Sequence, residues 1–194
     1  MVMLCGLSAI GTASSREQNS VPAATTVIQF TPTPASRAGT VDGTCRTPSV
    51  AAWFRSDAWA CVAGSSTFDP CFRANAEGPD VWCVIDPRQP AGGTPLRATS
   101  LIVTHATPPS HRAWFFELTD GSTCRPLAAP GRVVEGEREL YACKFGSAGD
   151  ADAILGDLDS TAPLWTVQKV MINKKAEPQT IKSVLVASVR TVWR

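Results

Sequence analysis

Four aspartates form the group of residues that most resembles a chemical site. Asp150, Asp152, Asp157 and Asp159 lie in the segment GDADAILGDLDS. Calcium prefers several oxygen ligands from a flexible loop, so these carboxylates are a weak calcium candidate. Apolar residues interrupt the ligand spacing of an EF-hand loop, and a solvated, capped turn is the favoured interpretation. The sequence therefore predicts no cofactor, and no metal site beyond this candidate.

Residues for nucleophilic or acid–base catalysis do not converge at a recognisable spacing. A Ser-His-acid site needs a histidine beside the nucleophile, and the two histidines, His105 and His111, lie around a predicted loop. No GxSxG elbow occurs. Glu135, Glu137 and Glu139 alternate along one hairpin, which places them on one solvated strand face rather than across a cleft. A protein without catalytic residues is the favoured interpretation.

The cysteines predict disulfides. The chain has seven of them and no CxxC pair, which favours disulfides over a zinc site. If Cys5 is removed with a leader, six remain, an even number that suits an oxidising compartment. Proximity alone favours sequential pairs that close short loops. The predicted disulfides are Cys45–Cys61, Cys71–Cys83 and Cys124–Cys143.

The first residues indicate export. Residues 1–13 are an uncharged apolar run that ends in small residues and resembles the apolar region of a signal peptide. The run is too short to cross a bilayer, which takes about 20 apolar residues. A lipid anchor on Cys5 is the alternative, although Leu4 is bulky for the residue before a lipidated cysteine. We expect a secreted or extracytoplasmic protein, free or surface-attached, that contacts membrane only through an uncleaved signal or a lipid anchor.

Charge and aromatic content constrain the partners. Charged residues make up 18% of the chain and the formal net charge is +1, so no strong field would recruit nucleic acid. Among the tryptophans, Trp53 and Trp114 are expected in the core. Trp59 and Trp82, beside Arg73 on loops pinned by disulfides, are the candidate binding residues, and core packing is their alternative. The expected partner is an unknown protein or envelope polymer.

Composition divides the chain into three parts. Residues 1–13 are interpreted as the remnant of a signal peptide. Residues 14–43 are rich in Ser, Thr, Pro and Ala and predict a linker, because they supply no amphipathic face. The run Val27 to Phe30 could instead pair as an edge strand. Residues 44–194 are predicted to form a single domain stabilised by disulfides.

One helix and several strands are expected in this domain. Thr47-Pro48-Ser49 is typical of a helix start, apolar residues recur at helical spacing as far as Cys61, and Gly64 would end the helix. The predicted strands span residues 98–105, 112–119, 123–127, 133–134, 138–145, 165–172 and 181–193. The predicted fold class is α+β and dominated by strands, with a mostly antiparallel sheet, one N-terminal helix and disulfide staples.

The cysteine framework also carries a resemblance. The segments GTCRTPSVAAWFRSDAWACVAGSSTFDPCF, VWCVIDP, DGSTC, LYAC and ILGDLDSTAPLWTVQKV resemble an uncharacterised family of secreted or membrane-tethered bacterial six-cysteine proteins. The resemblance runs from about Gly43 onwards and implies export and a domain boundary there. It implies no catalytic residue. The expected role is a non-enzymatic domain for extracellular binding or envelope structure. The alternatives are an extracytoplasmic hydrolase with an unrecognised site and a secreted inhibitor or effector acting through the loop at residues 106–110.

Overall fold

The protein is an all-β molecule in the part of the chain that its computed structural model describes. That part comprises residues 21–33, 41–46, 48–73, 78–89, 92–102, 112–127, 131–144, 153–173 and 175–194. No α-helix occurs in these ranges, and so none that could cross a membrane. The strands are β1 (Thr26–Ile28), β2 (Val41–Arg46), β3 (Ala58–Ala63), β4 (Ser66–Arg73), β5 (Asp80–Cys83), β6 (Thr94–Ile102), β7 (Phe115–Leu118), β8 (Thr123–Pro126), β9 (Val133–Val134), β10 (Glu137–Lys144), β11 (Ala153–Asp159), β12 (Thr166–Asn173) and β13 (Thr180–Trp193).

The first barrel is built from β2 to β6, and each strand pairs with the next along the chain. All of these consecutive pairs are antiparallel. Because the number of strands is odd, the first and the last must run in the same direction. The barrel accordingly closes through a parallel pair between β2 and β6.

The second barrel uses β7, β8, β10, β11, β12 and β13, and closes through β13 against β7. With an even number of strands every pair is antiparallel, including the closing one. The short β9 pairs with β10 outside this cycle. Strand β12 pairs with β13 as far as Ser188, and β1 pairs with β13 from Thr191 onwards, so β1 continues the wall in line with β12.

The predicted helix is wrong, whereas the predicted predominance of strands is confirmed. Residues 51–54 form a turn, and Ala58–Ala63 is β3. The helical spacing places Ala58 and Cys61 on one face, but in the strand Trp59 and Cys61 alternate into the barrel interior while Ala58 packs in a different cluster. Pairing with two neighbouring strands and a disulfide to β2 stabilise the extended form. The fold is therefore all-β rather than α+β.

Part of the segment predicted as a linker belongs to the fold. The run Val27 to Phe30, for which an edge strand was the alternative interpretation, contains most of β1. This strand pairs in parallel with the end of β13. The Phe30 side chain is only 7% exposed. The segment needs no amphipathic face of its own, because β13 supplies the backbone partners and an aromatic cluster receives Phe30.

The three predicted disulfides are confirmed. Cys45–Cys61 and Cys71–Cys83 join directly paired residues of β2 with β3 and of β4 with β5, and all four residues are buried inside the first barrel. Cys124–Cys143 joins β8 to β10 in the second barrel. Three disulfides indicate that the protein folds in an oxidising, extracytoplasmic environment.

An aromatic cluster joins the two barrels. The Phe72 ring of the first barrel lies 5.2 Å from the Trp114 ring, which precedes β7 of the second. Phe30 contacts both, at 5.0 Å from Phe72 and 5.1 Å from Trp114. Trp82, Phe115 and other buried residues complete this inter-barrel cluster. Close aromatic pairs of this kind contribute about 0.5–1.5 kcal/mol each beyond the area that they bury.

Arg55 ties the inter-barrel cluster to the backbone. Its guanidinium lies 4.7 Å from the centre of the Phe72 ring. Nη1 donates to the carbonyl oxygens of Phe30, at 2.9 Å, and Arg194, at 2.7 Å. Nε donates to Asp57 at 2.8 Å, which fixes the orientation of the guanidinium. One side chain thus connects the turn before β3 with β1 and with the end of β13.

Replacing Phe30 by Ala should destabilise the whole protein. The change leaves a cavity between the two barrels, and truncation of a buried Phe costs about 3–5 kcal/mol. Urea unfolding of Phe30→Ala measures the loss. The control is Val27→Ala, because Val27 lies on the same segment and is 42% exposed. Equal unfolding midpoints for the two variants would contradict the placement of Phe30 in the core.

Candidate binding groove between the barrels

The tryptophans proposed from the sequence as exposed contacts are buried. Trp59 is 2% and Trp82 is 3% exposed, so the expectation that they are exposed is wrong. Trp59 lies inside the first barrel and Trp82 in the inter-barrel cluster. The Arg73 guanidinium lies 5.3 Å from the centre of the Trp59 ring. The predicted helix did not place Trp59 in the core, whereas the alternation of side chains along a strand turns Trp59 inward.

The described acidic residues of the calcium candidate engage protein groups. Asp157 accepts a hydrogen bond from Arg112 at 3.0 Å. Asp159 accepts from the Thr161 backbone N–H at 3.0 Å and from its hydroxyl at 2.7 Å, and these bonds lower the Asp159 pKa. Asp150 and Asp152 lie outside the described residues. For Asp159, the geometry fits a capped turn.

Three sulfurs in the first barrel lie within metal-ligand range of one another. Those of Cys61, Cys71 and Cys83 are mutually within 4.8 Å. All three belong to disulfides. Since a metal ion binds the thiolate and not the disulfide sulfur, this cluster is part of the barrel core.

The other catalytic candidates are dispersed or lie outside the described residues. Glu135 accepts a hydrogen bond from the Ile181 backbone N–H at 3.0 Å. Glu139 pairs with Arg132 at 2.8 Å. Both histidines and the loop at residues 106–110 lie outside the described part.

A groove of about 280 Å³ runs between the two barrels. The turn before β3 forms one wall, and β8 with the β9–β10 region forms the other. Arg112 and Ala113, which lead into β7, connect them. The residues that line the groove are Val50, Trp53, Phe54, Arg112, Ala113, Pro126, Leu127, Gly131, Arg138, Glu139, Leu140 and Tyr141.

Trp53 is the exposed tryptophan of the protein, and it lies in this groove. Its side chain is 38% exposed, so the expectation that Trp53 is a core residue is wrong. The Arg112 guanidinium lies 5.3 Å from the centre of its ring, and Phe54 approaches at 6.3 Å edge-on. Both neighbours restrict the indole. Trp53 lies on a turn rather than on a helix, and no periodicity in the sequence signals its exposure.

Asp69 anchors the turn that carries Trp53. The Ser49 hydroxyl donates to the Asp69 carboxylate, and the Val50 N–H donates to it at 2.8 Å. Ser49 in turn accepts from the Ala52 N–H at 2.8 Å. Burial raises the Asp69 pKa, although these hydrogen bonds act in the opposite direction. Ser49 thus caps a turn rather than a helix, and its position depends on a residue from β4.

The groove combines an apolar floor with a cationic rim. Tyr141 is 2% exposed, and burial raises its pKa, so the hydroxyl stays protonated. On the rim, Arg112 pairs with Asp157 and Arg132 pairs with Glu139. Arg138 donates to the Gly131 carbonyl at 3.3 Å. Within the described ranges no acidic side chain pairs with Arg138, which gives the rim an uncompensated positive charge.

Comparisons with known proteins give no match: no family model, no curated protein and no solved structure is significantly similar to this chain.

The Asp69→Asn variant should lose part of the pH dependence of stability. Burial raises the Asp69 pKa in the folded protein above its ordinary value of 3.8. The folded state therefore holds the proton to a higher pH, and the free energy of unfolding falls as the pH rises from 3.8 through the raised pKa. Asn does not titrate, so Asp69→Asn should remove this decline. Urea unfolding between about pH 3 and pH 7 measures it.

Asp159→Asn is the control for this measurement. The hydrogen bonds from Thr161 lower the Asp159 pKa, so ionisation of Asp159 stabilises the fold. That contribution is lost as the pH falls through the lowered pKa, which is the opposite sign. An unchanged pH profile in Asp69→Asn would show that the Asp69 carboxylate is not the buried anchor of the turn.

Proposed function

We propose that this protein is an extracytoplasmic binding module, without catalytic activity, that holds a segment of a partner protein in the groove between its barrels. The observation that carries the proposal is the position of Trp53, which is exposed in the groove, whereas Trp165 is half-buried and the other four tryptophans are buried. Exposed aromatic residues on a rigid support dominate the binding energy of many interfaces.

The turn that carries Trp53 supports this role. Asp69 and Ser49 satisfy its backbone amides, and Arg112 and Phe54 contact the indole ring. The ring is therefore largely positioned before a partner arrives, which lowers the entropy lost on binding. The disulfides hold the barrel wall behind the turn.

The rim and the floor indicate the chemistry of the partner. An apolar side chain would bury against Val50, Leu127 and Trp53. Arg138 would pair with a carboxylate of the same segment, because it has no acidic partner within the described ranges. A protein segment that combines an aliphatic or aromatic side chain with a carboxylate meets both requirements, and it is favoured here over an envelope polymer.

A hydrolase is the alternative function, and Asp69 is the candidate for its catalytic carboxyl group. It is the carboxyl group whose pKa rises in the described part, and such shifts mark many active sites. Its two oxygens, however, accept hydrogen bonds from Ser49 and from the backbone of the turn. Asp69 therefore serves the fold of the turn. The resemblance to secreted six-cysteine proteins agrees with an exported module and adds no activity.

Replacing Trp53 by Ala should weaken retention of detergent-solubilised envelope proteins on the immobilised protein. A residue of this kind contributes about 2 kcal/mol, which is roughly 30-fold in Kd. Arg138→Gln should weaken retention as well, and raised salt should have the same effect as this substitution. The insoluble envelope polymer is tested in parallel by co-sedimentation.

Matched variants control for surface changes elsewhere. Ile85 is 60% exposed outside the groove, so Ile85→Ala should bind normally. Arg97→Gln removes the same charge from an exposed position in β6 that does not line the groove. Equal retention by Trp53→Ala and Ile85→Ala would contradict the groove. Turnover of an ester, peptide or glycan panel that disappears in Asp69→Asn would favour the hydrolase.

A further inference from the structure

Strand β13 is flanked on both sides only in its second half. From Val189 to Trp193 it pairs with β7 on one side. On the opposite side, β12 accompanies it as far as Ser188 and β1 from Thr191. Its first half pairs with β12 alone among the described strands. In the part of the chain that the structure describes, one edge of β13 is therefore open along the wall of the second barrel.

The backbone groups of Val184 and Val186 face this open edge. The Val189 N–H donates to Trp165 on the β12 side at 2.9 Å, whereas the Ser188 carbonyl accepts from Thr119 on the other side at 3.0 Å. Backbone groups alternate in direction along a strand. By this alternation, Val186 and Val184 point their N–H and C=O groups away from β12. They are donors and acceptors for a further strand.

The side chains at this edge are apolar and exposed. Val184, Leu185 and Val186 are consecutive, and they are 53%, 52% and 64% exposed. Edge strands in soluble proteins are usually protected by charges, by Pro or by a covering segment. Here Lys182 is the nearby charge. Three exposed aliphatic side chains on an open edge favour pairing with another strand.

Both ends of the open edge are blocked. The Glu135 carboxylate accepts from the Ile181 N–H at 3.0 Å, so this position is already occupied. At the other end the Ser188 carbonyl is occupied by Thr119. The open segment therefore runs from residue 182 to residue 187, with Val184 and Val186 as its outward backbone groups.

We propose that a second copy of this chain covers the edge, with the two β13 strands antiparallel about a two-fold axis at Val184. An antiparallel pair of identical strands is self-complementary under two-fold symmetry. In this register Val184 lies opposite the partner's Val184, and Lys182 lies opposite the partner's Val186. A centre at Leu185 would bring Lys182 opposite the partner's Ser188, which is blocked.

Charge favours the same occupant. Val186 lines a groove of about 310 Å³ together with Glu137, Asp157 and Asp159. The two-fold pairing brings the partner's Lys182 to Val186, at the rim of this acidic groove. Each dimer then contains two such cation–acid approaches. The contact lies apart from the inter-barrel groove, so the dimer goes beyond the proposed function and does not depend on it.

Sedimentation velocity on the full chain tests the dimer. The wild type should show a concentration-dependent equilibrium between monomer and dimer, and Val184→Lys should shift it at least 10-fold towards monomer. The control is Val133→Lys, because Val133 is similarly exposed, at 55%, on β9. A wild type that stays monomeric up to millimolar concentration, or one that instead captures extended peptides, overturns the proposal. So does an unchanged equilibrium in Val184→Lys.

Single cysteines test the register. Val184→Cys should form a disulfide-linked dimer with dissolved oxygen as the oxidant, because residues on the axis lie about 5.5 Å apart between Cα atoms. The Val186→Cys variant alone should form little disulfide-linked dimer, but a mixture of Val186→Cys with Lys182→Cys should form a disulfide-linked heterodimer. Linkage by Val186→Cys alone, without linkage by Val184→Cys, overturns the register. The Val184→Lys variant should still bind the partner of the inter-barrel groove. This binding measurement separates failure of the dimer from failure of the proposed function.

Discussion

The contact between Phe72 and Trp114 is the interaction on which the arrangement of the two barrels depends. Each ring belongs to a different barrel, and Phe30 packs against both. Arg55 lies over Phe72 and bonds to the backbone beside Phe30, so the aromatic packing also fixes the ends of two strands. The groove exists because this contact sets the distance between the turn that carries Trp53 and the wall of the second barrel.

The first barrel shows how a small sheet fills its interior. Disulfides and a single tryptophan occupy much of the space that larger barrels fill with aliphatic side chains: Cys45–Cys61, Cys71–Cys83 and Trp59. The cysteines lie on four successive strands. Because the bridges connect directly paired residues, they fix the register of the strands as well as filling the core. That rigid wall is what allows the short turn before β3 to present an exposed indole.

The sequence predicted strands that overlap β6 to β10, β12 and β13, and it predicted the disulfide pairs, because both depend on local spacing and short loops. It did not predict β2, β4, β5 or β11. Between Val50 and Cys61 the apolar spacing predicts a helix, yet the segment from Ala58 onwards is a strand. Pairing with β2 and β4 decided between them, and pairing is a long-range property. The sequence could not predict the groove for the same reason, because its residues come from distant parts of the chain. Asp69 must join Ser49 from another strand, and Arg138 comes from the second barrel, so no local pattern unites them with Trp53.

The order of the strands has a consequence for how the molecule is divided. Strands β1 and β7 both pair with β13, yet all five strands of the first barrel lie between them in the chain. The first barrel is thus inserted into the wall of the second, and the Phe30 and Trp114 rings, 5.1 Å apart, mark the place where the chain leaves and returns. A single break between the barrels leaves β1 on the wrong fragment. The two fragments would then stay together as a nicked complex. Separating the second barrel from the first requires two cuts, one after Phe30 and one before Trp114, and a new, short connection between these two ends.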